Sequence, residues 1–146
     1  MVSGQGSVKE KKGRGQLAKR QTVTKIKSYQ DLDVWKKAMD LVMECYKTVN
    51  KFPKTEVYGL SSQLQRAAVS VPANIAEGQG RWHTKEFINH LSIAYGSLAE
   101  LETHLQIAER LQYIDKSQLN HLMNMTGEIG RMINGLGRAL ERNNDK

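Results

Sequence analysis

From Ser28 onward, apolar residues return every three or four positions, the spacing that gathers side chains on one face of a helix. The first run predicts a helix over about 29–51. Its stripe is Trp35, Met39, Val42, Tyr46 and Val49, with Leu32, Ala38 and Cys45 flanking it. Ser28 and Asp31 make a start like a capping box, and Pro53 stops the helix. The second run predicts a helix over about 56–79, with Thr55 as N-cap. Leu60, Leu64, Ala67, Val71 and Ile75 form its stripe, and Gly78 and Gly80 end it. Pro72 falls inside this run and must remove one backbone hydrogen bond. It either kinks one helix or divides two shorter ones at Val71–Pro72.

The third run is the most regular. Phe87, Leu91, Ala94, Leu98, Leu101, Leu105 and Ala108 alternate steps of four and three, the seam of a helical bundle, with Thr84 as the expected cap. The fourth helix begins at Asp115, with Gln118 at its third helical position. Leu119, Leu122, Ile129, Ile133, Leu136 and Leu140 line one side of it. Gly130 and Gly137 lie near the middle of that side. They mark either the close approach of another helix or tolerated flexibility near a fraying end, since an interior glycine costs about 1 kcal/mol against alanine. Four long helices joined by short connections predict an all-α fold, an antiparallel up-and-down four-helix bundle spanning 28–146.

Composition agrees with a packed body. Of 146 residues, 39% are hydrophobic, enough to fill a core. The single cysteine excludes a disulfide framework. No apolar run approaches the roughly 18 residues of a membrane span, and no apolar leader opens the chain, so a cytoplasmic setting is expected.

Charge divides the chain. The formal net charge is +7, and all of it lies in residues 1–27, where Lys9, Lys11, Lys12, Arg14, Lys19, Arg20, Lys25 and Lys27 face Glu10 alone. This segment has four glycines and no aromatic residue, too little apolar surface to offset the entropy of ordering. It reads as a disordered basic N-terminal arm. These eight cations suit a polyanion and are the candidate nucleic-acid contacts; the alternative is a solubility tail.

Catalytic and metal-binding patterns are sparse. Glu86 and His90, like Glu100 and His104, are spaced i,i+4 on the third helix and read as solvated pairs. Di-iron bundles instead use Glu-x-x-His on two helices. His83 and His121 have no evident ligand partner. Cys45, on an apolar side, reads as a buried inert thiol. Gly78-Gln79-Gly80 follows a helix, not a strand, and so is no phosphate loop. Ser61, Ser62 and Ser70 lack a nucleophile elbow. No catalytic residue, metal or cofactor is expected.

One polar stripe stands out on the second helix. Arg66, Ser70, Asn74, Glu77 and Arg81 step by four, four, three and four, about 80° around the helix from its apolar stripe. That is the place for a partly covered helix or subunit contact, with Arg66 reaching Ser70 and Glu77 pairing with Arg81. An ordinary solvent-facing flank is the other reading.

The segment from Tyr58 to Gly78, YGLSSQLQRAAVSVPANIAEG, resembles the four-helix-bundle proteins encoded in 23S rRNA intervening sequences. Asp31-Leu32-Asp33-Val34-Trp35 and the stretch Ala94 to Thr103, AYGSLAELET, match the same family, so the resemblance spans about residues 29–135. It implies a ring-like homopentamer, a continuous kinked helix through Pro72, and no enzymatic activity. It also implies kinship with the accessory proteins of diversity-generating retroelements, basic pentameric barrels that bind a reverse transcriptase and its template RNA. The long arm and the glycines of the fourth helix depart from that pattern.

Together these features predict a non-enzymatic RNA-binding accessory protein. Its expected partners are further copies of itself, RNA, and a reverse transcriptase or an rRNA complex, with no membrane. The alternative is a purely structural oligomeric interaction module.

Overall fold

Helix-forming sequence separated by brief breaks folds into four helices. The computed structural model describes residues 27–144. A 3-10 turn (Tyr29–Asp31) leads into α1 (Asp33–Val49), and a second 3-10 turn (Lys54–Glu56) precedes α2 (Leu60–Gln79). Helices α3 (Thr84–Arg110) and α4 (Lys116–Asn144) follow, with no strand among the described residues. Neighbours are α1–α2, α2–α3, α3–α4 and α1–α4, and the diagonal pairs stand farther apart across the core. This is the antiparallel four-helix bundle that the apolar spacing predicts. Leu41, Leu64, Ile75, Leu101, Leu105, Leu122 and Ile129 are fully buried at its centre, each worth about 1.5–3 kcal/mol against exposure.

Helix α1 corrects two expectations. Ser28 does cap, its Oγ accepting from the Gln30 N–H at 3.1 Å, but it caps the 3-10 turn rather than α1. The buried face of α1 is Val34, Ala38, Leu41, Cys45 and Thr48, one residue ahead of the predicted stripe and so turned by about 100°. Trp35, Val42 and Val49 are half-buried beside it, while Met39 and Tyr46 are exposed. Two stripes with the same four-three rhythm run side by side here. The one with smaller side chains faces inward, where the core leaves least room. Thr48 is tolerated inside because its hydroxyl donates to the Glu44 carbonyl at 2.8 Å.

Helix α2 starts at Leu60, four residues later than expected, and Thr55 does not cap it. Glu56 serves instead. Its Oε1 accepts the Leu60 N–H at 2.9 Å, and its Oε2 accepts the Tyr113 hydroxyl at 2.8 Å from the α3–α4 turn. The helix runs unbroken through Pro72, whose ring is buried; two shorter helices do not form. Proline lacks the N–H that would reach the Ala68 carbonyl, a loss accepted inside the core.

Thr84 is the first residue of α3 rather than its cap; His83 takes the cap position without a side-chain bond. The predicted seam is the core face, with Phe87 half-buried. The helix ends in a left-handed turn at Gln112 (φ 64°). The Gln112 N–H reaches the Glu109 carbonyl and the Tyr113 N–H reaches the Ala108 carbonyl, both at 2.9 Å, the bond pair of a Schellman ending. Helix α4 opens on a reciprocal capping box. The Gln118 N–H donates to Asp115 Oδ1 at 2.8 Å, and the Asp115 N–H to Gln118 Oε1 at 3.1 Å. Neither of its two glycines marks an approach that only glycine allows: a Cβ at Gly130 would stand 3.4 Å from Cε1 of Tyr95, an ordinary contact, and Gly137 has nothing within 4 Å.

Alternating helix direction sorts the connections between two ends. Lys27, the α2–α3 turn and the close of α4 share one end. Val57, Tyr58, Leu111 and Gln112 share the other. The α1–α4 pair is joined across its surface by Lys37 Nζ to Glu128 at 3.3 Å and His121 Nε2 to Glu44 at 3.8 Å.

Candidate functional site

Four of the five residues in the polar stripe of α2 meet α3 in one chain of contacts. The Ser70 and Ser97 hydroxyl oxygens are 2.8 Å apart and share a hydrogen bond. The Asn74 amide Nδ2 donates to the Ser70 carbonyl at 2.9 Å and to its Oγ at 3.0 Å. That orientation leaves Asn74 Oδ1 to accept, so the His90 Nδ1, 3.0 Å away, is the donor. His90 Nε2 then lies 3.8 Å from Glu77 Oε2, which takes a 2.6 Å bond from Arg81 Nη2. Arg81 Nη1 extends to Glu86 on α3 at 3.8 Å. Arg81 and, second, the charge of His90 hold the Glu77 carboxyl below its ordinary value, and the Arg81 guanidinium is raised in turn.

Backbone packing fixes this seam. A Cβ added at Gly78 would meet His90 Cβ at 2.7 Å, Phe87 Cδ1 at 2.9 Å and the Phe87 carbonyl at 3.3 Å. Glycine is what lets α2 lie this near to α3. The seam is structural: its groups bond each other, and none is left convergent on an open cavity for catalysis.

Arg66, the fifth residue of the stripe, is not brought into it. It is exposed, and among the described residues it makes no hydrogen bond or ion pair. With Tyr46, Gln65 and Val69 it lines an open groove of about 530 Å³. The exposed Met39 and Met43 share the face of α1 that carries Tyr46. Two smaller grooves of about 260 and 290 Å³ flank Tyr95 between α3 and α4. Arg138 and Glu141 line one, and Arg131 and Glu102 the other. Arg142 is exposed at the close of α4.

Of the two i,i+4 pairs expected on α3, Glu100–His104 forms with its histidine buried, and Glu86–His90 does not form. His90 bonds across to α2, and its i,i+4 neighbour Glu86 turns to Arg81 instead. His104 is buried, with Nε2 3.3 Å from Glu100 and Nδ1 without a hydrogen-bond partner. A sequence signal for this existed: His90, Ser97 and His104 are each one heptad apart, so they share the flank of α3 that faces α2. Thr126 on α4 is a second buried polar group, and it donates to Glu102 Oε2 at 2.5 Å. Cys45 is wholly buried, and burial pushes its thiol up to about 12 with help from the Glu44 charge. It is unreactive at neutral pH.

Among the described residues no group of three or more His, Cys, Asp or Glu side chains could hold a metal ion. No helix there is long and apolar enough to cross a membrane. Of the eight arm cations, Lys27 is exposed, and its backbone N–H donates to Asp31 Oδ2 at 3.3 Å. Lys9, Lys11, Lys12, Arg14, Lys19, Arg20 and Lys25 lie outside the described residues.

The sequence pattern of the 23S rRNA-intervening sequence proteins matches residues 30–135. Among solved structures, the chain is similar to a protein of unknown function from the S23 ribosomal protein family of Bacteroides thetaiotaomicron. The two are 28% identical with a TM-score of 0.63, over 70% of this chain and 96% of that one. No curated protein matches the chain.

Proposed function

The chain belongs to the 23S rRNA-intervening sequence protein family, and on that footing we propose that it is a non-enzymatic RNA-binding accessory protein. It works as a ring-like homopentamer in the cytoplasm, beside an rRNA complex or a reverse transcriptase. The observation that carries this reading is the division of charge: the entire net +7 of the chain resides in residues 1–27. An arm of that kind contacts phosphates and supplies affinity rather than sequence choice.

Assembly is supported by a separate feature. Tyr46 on α1 and Val69 on α2 line one groove, and Met39 and Met43 share the helix face of Tyr46; all four are exposed, apolar surface that a second copy would cover. Several arms on one assembly would make weak phosphate contacts collectively strong. The same surface favours the alternative, a structural interaction module that binds no nucleic acid.

The test is RNA binding by the full chain and by a chain lacking residues 1–27. The full chain binds single-stranded RNA with a salt slope of roughly −3 if half of the arm's cations engage. The full chain has a light-scattering mass of about five times 16.5 kDa, and the shortened chain keeps the same number of subunits but loses most of the affinity and slope. Undiminished binding by the shortened chain moves the site to the bundle, with Arg131, Arg138 and Arg142 first in line. No binding by either chain at low salt leaves the structural module.

A further inference from the structure

The α2–α3 turn carries an indole that the fold does not use. Trp82 is 95% exposed and makes no aromatic contact among the described residues, whereas the other tryptophan, Trp35, packs half-buried against Tyr29 with ring centroids 5.1 Å apart. We propose that Trp82 is a stacking platform for the bases of single-stranded RNA. The proposal rests on the RNA-binding reading above and supplies what the arm lacks, an aromatic surface.

The ring stands on a fixed mount. Gly80 N–H bonds the Ala76 carbonyl at 3.0 Å, and Arg81 N–H bonds the Gly78 carbonyl at 3.1 Å. The Arg81 side chain spans the turn, tied to Glu77 on α2 and Glu86 on α3. A ring presented on a rigid turn needs little ordering when a flat ligand arrives. Bases stack on such rings whatever their identity, because every base has a π face.

The surrounding charge favours a polyanion. Arg81 is offset by Glu77 and Glu86, so it braces the turn rather than attracting phosphate. Lys85, three residues beyond Trp82, is exposed and makes no ion pair among the described residues. Lys27 is exposed at this same end of the bundle, and the chain before it holds the other seven arm cations. Phosphates drawn to Lys27 and Lys85 lie at the end of the bundle that carries Trp82. The opposite end provides a contrast: Tyr58 is 96% exposed but lies at the end away from Lys27, next to Val57 and two residues from Glu56.

The experiment titrates the full-length protein with single-stranded oligoadenylate and follows both affinity and tryptophan emission. Binding quenches the wild-type emission. Trp82→Ala weakens binding about 5- to 150-fold, the range for loss of one stacked base, without changing the salt slope. Trp82→Phe lies between the two, and Tyr58→Ala binds like wild type. Equal binding by wild type and Trp82→Ala overturns the platform while the RNA reading stands. If the wild type does not bind the oligonucleotide, both fall. A third outcome also overturns the platform. Trp82 emission is then already shielded from acrylamide without RNA, and Trp82→Ala lowers the mass of the assembly, so that a second copy covers the ring.

Discussion

Gly78 lies directly beneath His90: a Cβ at residue 78 would stand 2.7 Å from the Cβ of His90. Real side chains do not approach that closely, so the α2–α3 seam exists in its present form only with glycine at this position. The bonds from Ser70, Asn74 and Glu77 to α3 depend on that approach.

Gly78→Ala should therefore destabilise the bundle by about 1–3 kcal/mol, because α2 and α3 must separate and the seam's hydrogen bonds lengthen. Gly137→Ala is the matched control. Nothing lies within 4 Å of its added Cβ, so it should stabilise by up to about 1 kcal/mol through helix propensity. Urea unfolding of the two variants checks both signs.

The Ser70–Ser97 bond can be isolated by a double-mutant cycle. Each single change to alanine should cost about 1 kcal/mol. The double variant should be little worse than either single one, a coupling of about 1 kcal/mol. Strict additivity in denaturant midpoints would contradict the bond. Arg66→Ala, by contrast, should change stability by less than about 0.5 kcal/mol, as befits an exposed residue.

The Glu56–Tyr113 bond predicts a pH dependence at both extremes. The Leu60 N–H first, and then the Tyr113 hydroxyl, hold the Glu56 carboxyl below its ordinary 4.5. A carboxyl lowered on folding stabilises above its unfolded value, and that contribution is lost as pH falls through the lower folded value. The Tyr113 hydroxyl is raised above its ordinary 10.0 by its bond to Glu56. Its contribution is present below 10 and is lost as pH rises through the higher folded value. Glu56→Gln should melt below wild type at pH 7, with the gap closing as pH falls below 4.5. Thermal melts of both proteins across the acid range measure this.

Gln112 occupies a left-handed position where most side chains are strained, and Gly is the usual residue at such a helix ending. Gln112→Gly should raise stability by up to about 1 kcal/mol, since relief of strain exceeds the added freedom of the unfolded chain. A fall in melting temperature would show that the glutamine stabilises the turn in some other way.

Periodicity alone was enough to read α3, because Leu91 through Ala108 offer one apolar stripe and no rival. Helix α1 was legible as a helix but not in its rotation. Val34–Thr48 and Trp35–Val49 share a rhythm, and only the room between neighbouring helices decides which faces inward. The start of α2 was hidden because Thr55 has the chemistry of a cap, while the bond that forms comes from Glu56, fixed by Tyr113 across 57 residues. The polar stripe of α2 was visible as a pattern. Its partners His90 and Ser97 were not assigned, since i,i+4 spacing drew His90 toward Glu86 on its own helix. Trp82 escaped notice because a lone aromatic in a turn has no period.

Among the four described α-helices, α1 and α4 are the one adjacent pair not consecutive in the chain, and the ion pairs between them are exposed ones that contribute little. During synthesis α1 is complete at Val49, while α4 starts at Lys116. At ordinary translation rates the interval is roughly 3–13 s. Through that time the buried face of α1 has only α2, and then the α2–α3 hairpin, to lie against. The nascent chain thus emerges as an open three-sided trough, and α4 is the helix that roofs it.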